Sequence, residues 1–275
     1  MIGDILEDTE TRNRTMERPQ MCEIKEIIAE SPSVKTFILN KEFNFKGGQF
    51  AMVWVPEYDE KPFGFSNKNG FSVANVGRTT SKMHEMEEGE LLGIRGPYGN
   101  GFEAFGDNVI AVAGGIGSAP IIPTVEEFAK QNINITSILG GRTKEELLFL
   151  ERFKSVSNTI PCTDDGTYGY NGFTTNKLVE VLEKRKEENI STDCIITCGP
   201  EIMMKKVVEI AKNYKVPVQL SLERYMKCGI GICGQCSVDD EGYCICKDGP
   251  VFWDNKLNMI KEFGKYKRDA SGAKI

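Results

Sequence analysis

From Asp107 onward the chain repeats one pattern, a short apolar run, a glycine-rich or polar turn, then a stretch with helical apolar spacing, and that pattern admits few folds. NVIAVA (108–113) leads through GGIGSAP into PIIPTVEEFAKQ. ITSILGG leads into TKEELLFLERF, NTIPCTDDG into TTNKLVEVLEKRKEE, and CIITCGP into EIMMKKVVEIAKNY, before VPVQLSL closes the series. Strands apolar along their whole length and alternating with helices predict a parallel sheet covered on both faces. The turn after the first strand places Gly114, Gly115 and Gly117 at a helix N-terminus, where backbone amides can approach a pyrophosphate. It departs from G-x-G-x-x-G, because Ala119 and Pro120 follow its third glycine, and a tight turn without a ligand is the competing reading.

The flanking segments have a different texture. Residues 1–20 are charged with little apolar periodicity and read as an N-terminal arm. Over 21–105 the apolar runs CEIKEIIAE, VKTFILN, QFAMVWV, GFSVANV and LLGIRG are short and bounded by turn residues, which predicts a small antiparallel β-barrel. After the parallel-sheet domain, 106–222, glycines and cysteines crowd together over 223–258. No stretch there is long enough to bury a core of its own, so a loop-rich metal module is expected, followed by a charged tail at 259–275. The fold class expected is α+β and multidomain.

Five of the nine cysteines lie between Cys228 and Cys246. Cys228, Cys233 and Cys236 follow the C-x4-C-x2-C spacing of plant-type [2Fe–2S] sites. The interleaved Gly229, Gly231 and Gly234 suit a loop that brings backbone N–H groups close to sulfur. Spacing alone leaves the fourth ligand open between Cys244 and Cys246. A four-cysteine zinc site is the alternative, but it is usually built from two C-x2-C hooks and only one is present. Cys22, Cys162, Cys194 and Cys198 are scattered over expected strands and read as ordinary buried thiols.

Composition narrows the function. The net charge is −6 and the pI about 5.2, without a block of like charge, which argues against a nucleic-acid partner. The start of the chain lacks a basic, apolar leader, and no run of ~18 apolar residues occurs, so a cytoplasmic location and no membrane partner are expected. His84 is the sole histidine, which disfavours histidine-activated nucleophiles; no catalytic acid or base is expected.

GGQF (47–50), KPFGFS (61–66), GRTT (77–80), RGPYGNGF (95–102), GGIGSAP, TDDGTYG, CGPEIMM, ERYMKCGIGICGQC and CKDGPVF occur in the order found in ferredoxin–NADP reductase-like electron-transfer proteins. Within that group the chain most resembles the dihydroorotate dehydrogenase B electron-transfer subunit family, over about residues 21–255, and the gamma subunits of sulfhydrogenases and anaerobic sulfite reductases are similar. The resemblance implies FAD in the barrel, NAD(H) visiting the glycine loop and a [2Fe–2S] cluster on Cys228, Cys233, Cys236 and Cys246. It carries Lys61, Pro62, Phe63 and Gly64 onto an R-P-x-S flavin motif, from which this sequence departs by lysine for arginine and glycine for serine. Ser66 is a candidate replacement hydroxyl. Val73, Ala74, Gly77, Thr79 and Thr80 match the flavin-side and phosphate-side stretches, with Thr79 and Thr80 as hydroxyl donors.

The implied function is an electron-transfer subunit working with an FMN-containing dihydroorotate dehydrogenase. A hydrogenase or sulfite-reductase partner is the alternative, and a non-enzymatic zinc-binding protein is the reading from another class.

Overall fold

Six strands close into an antiparallel barrel in the order β1-β2-β5-β4-β3-β6: β1 (Gln20–Ser31), β2 (Val34–Leu39), β3 (Phe50–Val55), β4 (Asp59–Asn67), β5 (Gly70–Ala74) and β6 (Leu91–Tyr98). The computed structural model describes residues 18–238 and 241–275, so the expected N-terminal arm lies, through residue 17, outside the described residues. Every second residue of a strand faces inward, and Ile24, Phe37, Phe65 and Phe71 fill the barrel completely buried. Met83 of the short helix α1 (Arg78–His84) joins that core. Five of the strands coincide with the apolar runs of the sequence. The sixth, β4, contains the KPFGFS stretch and is hidden by its proline, its glycine and three charges.

The second layer system is a seven-stranded sheet. Its parallel strands are β7 (Asn108–Gly114), β8 (Asn134–Gly141), β9 (Asn158–Thr163), β10 (Tyr170–Asn171), β11 (Cys194–Cys198) and β12 (Val218–Ser221). The helices are α2 (Ser118–Lys130), α3 (Leu150–Val156), α4 (Thr174–Glu187) and α5 (Glu201–Tyr214). Val109 to Ala113 are all buried, because separate apolar cores pack on the two faces of the sheet.

The order β10-β9-β8-β7-β11-β12 ends with an addition that the sequence did not announce. The strand β13 (Val251–Trp253), in the cysteine-rich stretch, pairs antiparallel with β12. The expected boundary at 222/223 is therefore crossed by a continuous sheet.

The described residues of 223–258 have no core cluster of their own and share one with the two larger layers. Ile230, Val238, Phe252 and Ile245 of the helical turn α6 (Ile245–Asp248) pack with Phe50 and Met52 of the barrel and with Met204, Leu220 and Leu222 of the sheet domain. Ile260 and Phe263 of the expected tail are buried in the same cluster.

Beside them Arg224 is buried between two carboxylates, with Nε 2.6 Å from Glu262 and Nη1 bonded to Glu201 at the start of α5. Replacing Arg224 by alanine leaves both carboxylates buried without that cation and should cost about 3–5 kcal/mol. Chemical denaturation measures this directly, and a loss below about 1 kcal/mol, the scale of a surface pair, would refute the assignment.

Candidate functional site

The cysteine loop is shaped by its glycines. Gly229 and Gly231 have φ of 76° and 81°, and a Cβ on Gly229 would lie 2.8 Å from Met52 Cγ. With side chains excluded, amides reach sulfur: Gly231 N–H donates to Cys246 Sγ at 3.1 Å, Cys246 N–H to Cys236 Sγ at 3.4 Å and Ile230 N–H to Cys228 Sγ at 3.5 Å.

The thiols associate in two pairs, Cys228 with Cys233 and Cys236 with Cys246. Cys244 instead faces Ser237, its Sγ 3.7 Å from that hydroxyl. Among the described residues no three acidic, histidine or cysteine side chains converge on a point for a single ion. The donor set, four thiols with backbone amides directed at sulfur, fits an iron–sulfur group.

Acidity divides the thiols along another line. Burial raises Cys228, but N–H groups of Cys233, Ile230 and Ile232 outweigh it and bring the thiol down to about 6. The hydrogen bond from Cys246 brings Cys236 to about 7, and the same contact raises Cys246. Desolvation pushes Cys162 up to about 12 and Cys194 to about 11. Cys228 and Cys236 thus favour thiolate, the metal-binding form, whereas Cys246 and these strand cysteines stay protonated in the iron-free chain.

On the barrel, the residues expected to meet a flavin separate into those that face outward and those that do not. Lys61 gives its charge to Asp59, at 2.5 Å, and its Nζ stands 4.9 Å from the Tyr225 ring centroid. The Phe63 ring stacks on Phe71 with centroids 5.5 Å apart. Pro62 is half-buried opposite Met52 of β3. A Cβ on Gly64 would lie 3.3 Å from the Pro120 Cβ of α2, so the close approach of the sheet domain accounts for glycine where the motif has serine.

Three expectations are corrected here. Ser66 is fully buried and hydrogen-bonded to Ser72 at 2.7 Å, so it offers no hydroxyl in place of that serine. The Val73 side chain belongs to the barrel interior. Thr80 spends its hydroxyl on α1, accepting the N–H of Gly77 at 2.9 Å and donating to the Gly77 carbonyl at 2.8 Å. Thr79 is buried at 7% exposure, while nothing lies within 4 Å of a Cβ on Gly77. Next to it Arg78, which sequence reasoning passed over within GRTT, lies over Tyr58 at 4.8 Å. His84 is structural, with Nε2 2.9 Å from the Val73 carbonyl.

A cavity of about 750 Å³ opens at the carboxyl ends of β7, β8, β9 and β11. Because β8 and β11 flank β7 on opposite sides, this is a topological switch point, where open α/β sheets bind ligands. Gly114, Gly115 and the barrel residue Ala74 line it. Gly117 does not: a Cβ there would lie 2.4 Å from the Cys198 carbonyl oxygen, so this glycine serves the packing of α2 on β11. Arg142, Lys205 and Lys206 also border the cavity. No local motif marks them in sequence, since they arrive from β8 and α5. Glu146, Asp164 and Glu209 line the cavity as well, so its charge is mixed, and it is the open glycine backbone beside a barrel wall that suits a nucleotide.

In the iron-free chain, alkylation of Cys228 should rise with pH through about 6 as the thiolate forms, whereas Cys162 should show no plateau below about pH 10. Mass-spectrometric mapping checks this, and half-maximal labelling of Cys228 near the ordinary value of about 8.5 would contradict the hydrogen-bonding pattern.

Comparison with known proteins agrees with this division. Residues 223–258 match the family described as the iron-sulfur cluster binding domain of dihydroorotate dehydrogenase B, and residues 111–209 match the oxidoreductase NAD-binding domain. The chain is 69% identical to a probable dihydroorotate dehydrogenase B (NAD(+)) electron transfer subunit of Methanocaldococcus jannaschii, across 94% of this chain and 99% of that one. It is 44% identical to the protein of the same description in Methanothermobacter thermautotrophicus, across 95% and 98%.

Among solved structures, a chain of NADH-dependent reduced ferredoxin–NADP oxidoreductase, studied for flavin-based electron bifurcation, matches with a TM-score of 0.75 and 28% identity, across 90% of this chain and 95% of that one. The ferredoxin reductase of carbazole 1,9a-dioxygenase, at TM-score 0.63, 16% identity and coverage of 74% and 68%, shares the fold. With near-complete coverage at such identity, the chain belongs to the family of dihydroorotate dehydrogenase B electron transfer subunits.

Proposed function

We propose that the chain is an oxidoreductase subunit that carries electrons between NAD(H) and a catalytic dihydroorotate dehydrogenase subunit, through FAD on the barrel and a [2Fe–2S] cluster on the cysteine loop. One observation carries this reading. The strand β4 meets the sheet domain at Gly64–Pro120 and the cysteine segment at Lys61–Tyr225, so a single strand touches both ends of the path. A bound flavin would supply the conversion needed between a nicotinamide and an iron–sulfur group, from one hydride with its two electrons to single electrons.

The chain's own residues supply position. The open backbone at Gly114 and Gly115 orients the nucleotide. Lys61, Pro62, Phe63, Gly64, Ala74 and Gly77 offer the barrel surface for the flavin, with Arg78 as a cation beside its phosphates. Cys228, Cys233, Cys236 and Cys246 are the proposed cluster ligands, with Cys246 supported by its contact with Cys236 and by the Gly231 amide. No side chain is needed as an acid or base.

The partner proposed is an FMN-containing catalytic subunit of pyrimidine biosynthesis. The comparisons support a dihydroorotate dehydrogenase partner, and neither the hydrogenase or sulfite-reductase alternative nor the zinc alternative; its FMN is proposed from the family resemblance. Among the described residues no helix is long and apolar enough to cross a membrane.

Anaerobic titration with NADH, followed by visible absorption and EPR, tests the path. The wild-type flavin and iron bands should bleach and a reduced [2Fe–2S] signal should appear. Cys246→Ser should lose that signal and keep flavin bleaching, whereas Cys244→Ser should keep both. The reverse result for the two serines would reassign the fourth ligand, and a wild-type chain inert to NADH but reducible by dithionite would point to another donor. Dihydroorotate-dependent reduction of NAD should need both this chain and the catalytic subunit.

A further inference from the structure

We propose that Arg95 and Glu60 form a tether that seats the cysteine loop on the flavin-bearing strand and thereby sets the rate at which electrons cross between them. This rests on the electron path given above. Arg95 stands in β6 opposite Met52 of β3. Its guanidinium makes a two-pronged contact with Glu60, Nε to Oε1 at 2.8 Å and Nη2 to Oε2 at 2.6 Å. The remaining nitrogen, Nη1, donates to the backbone carbonyl of Cys228 at 3.2 Å. Glu60 immediately precedes Lys61-Pro62-Phe63-Gly64 in β4, and Cys228 is the first cysteine of the loop. One side chain therefore bonds the start of the flavin segment and the start of the cluster segment at once.

The geometry requires arginine. A planar fork saturates both carboxylate oxygens and still has a donor for a third group in a fixed direction, whereas a lysine ammonium offers a single point of charge. The guanidinium is only 9% exposed. A buried ion pair is weak grounds for stability, since desolvation offsets its attraction, so its value here lies in position. The bond to Cys228 goes to the main-chain oxygen and leaves the thiol free, so the tether exists whether or not iron is bound. Two further contacts act in the same direction: Lys61 with Tyr225 in ERYMK, and the close approach of Gly229 to Met52. Neither of them fixes a direction as the fork does.

The test compares wild type, Arg95→Lys and Glu60→Gln in the full chain. In the iron-free protein, amide hydrogen exchange at Gly229, Ile230 and Gly231 should rise at least about tenfold in both variants, with the amides of the barrel strands unchanged. In the loaded protein mixed rapidly with NADH, flavin bleaching should stay within about twofold of wild type, while the reduced-cluster EPR signal should appear at least about tenfold more slowly. The double variant should cost no more than either single one, because both remove the same link.

Wild-type exchange at the loop together with wild-type cluster reduction in Arg95→Lys would overturn the proposal. Faster exchange spread through the barrel strands would overturn it equally, by making Arg95 a general support of the barrel. If the wild-type flavin does not bleach with NADH, the electron-path reading fails, and the exchange comparison still decides the tether.

Discussion

The apolar contact between the cysteine segment and the two larger layers is the constraint on which the remaining structure depends. The described residues of 223–258 form only three short regular elements, a helical turn, a three-residue strand and a 3-10 segment, too little to exclude water from themselves. They become ordered by inserting Ile230, Ile245 and Phe252 among Phe50, Met52, Leu220 and Leu222, which belong to the barrel and the sheet. Burying such side chains contributes roughly 1.5–3 kcal/mol each, so a loop that could not fold alone is held by the surfaces it joins. The same insertion brings barrel and sheet into one body, with β13 continuing the sheet out of the loop.

Polar contacts then fix the register of this shared core. Arg224 links α5 to the C-terminal segment through Glu201 and Glu262, Asn100 ties the barrel exit to the cysteine segment at Asp248, and Gln219 of the sheet domain bonds that exit at Glu103. Apolar packing is non-directional and would tolerate small slides of the loop, whereas hydrogen bonds of fixed geometry do not. Electron transfer between bound groups depends on separation, so the directional contacts belong where the loop meets β4.

Much of the architecture was legible because periodicity is a local signal. The βα alternation located five of the six parallel strands, all but the two-residue β10, and the short runs located five barrel strands. β4 and β13 also escaped for a physical reason. Each is defined by its neighbours in the sheet: β4 carries Pro62 and Gly64, residues of weak strand preference, and β13 has strand-forming residues but is only three residues long.

The sequence by itself determined which chemistry this protein can hold: a C-x4-C-x2-C loop rich in glycine, a strand–glycine–helix turn and too few histidines for acid–base work. These depend on residue type and spacing along a few turns of chain. Only the tertiary structure decided which members of each set face one another. Cys246 lies beside Cys236 while Cys244 turns to Ser237. Val73 and Ser66 point into packed interior, Thr80 caps its own helix, and Gly117 packs against β11. Arg142 and Lys205 reach the crevice from distant elements. Alternation along a strand assigns two faces without saying which one a neighbouring domain will cover, and Gly64 illustrates the limit, since its missing side chain is explained only by Pro120 arriving from another domain.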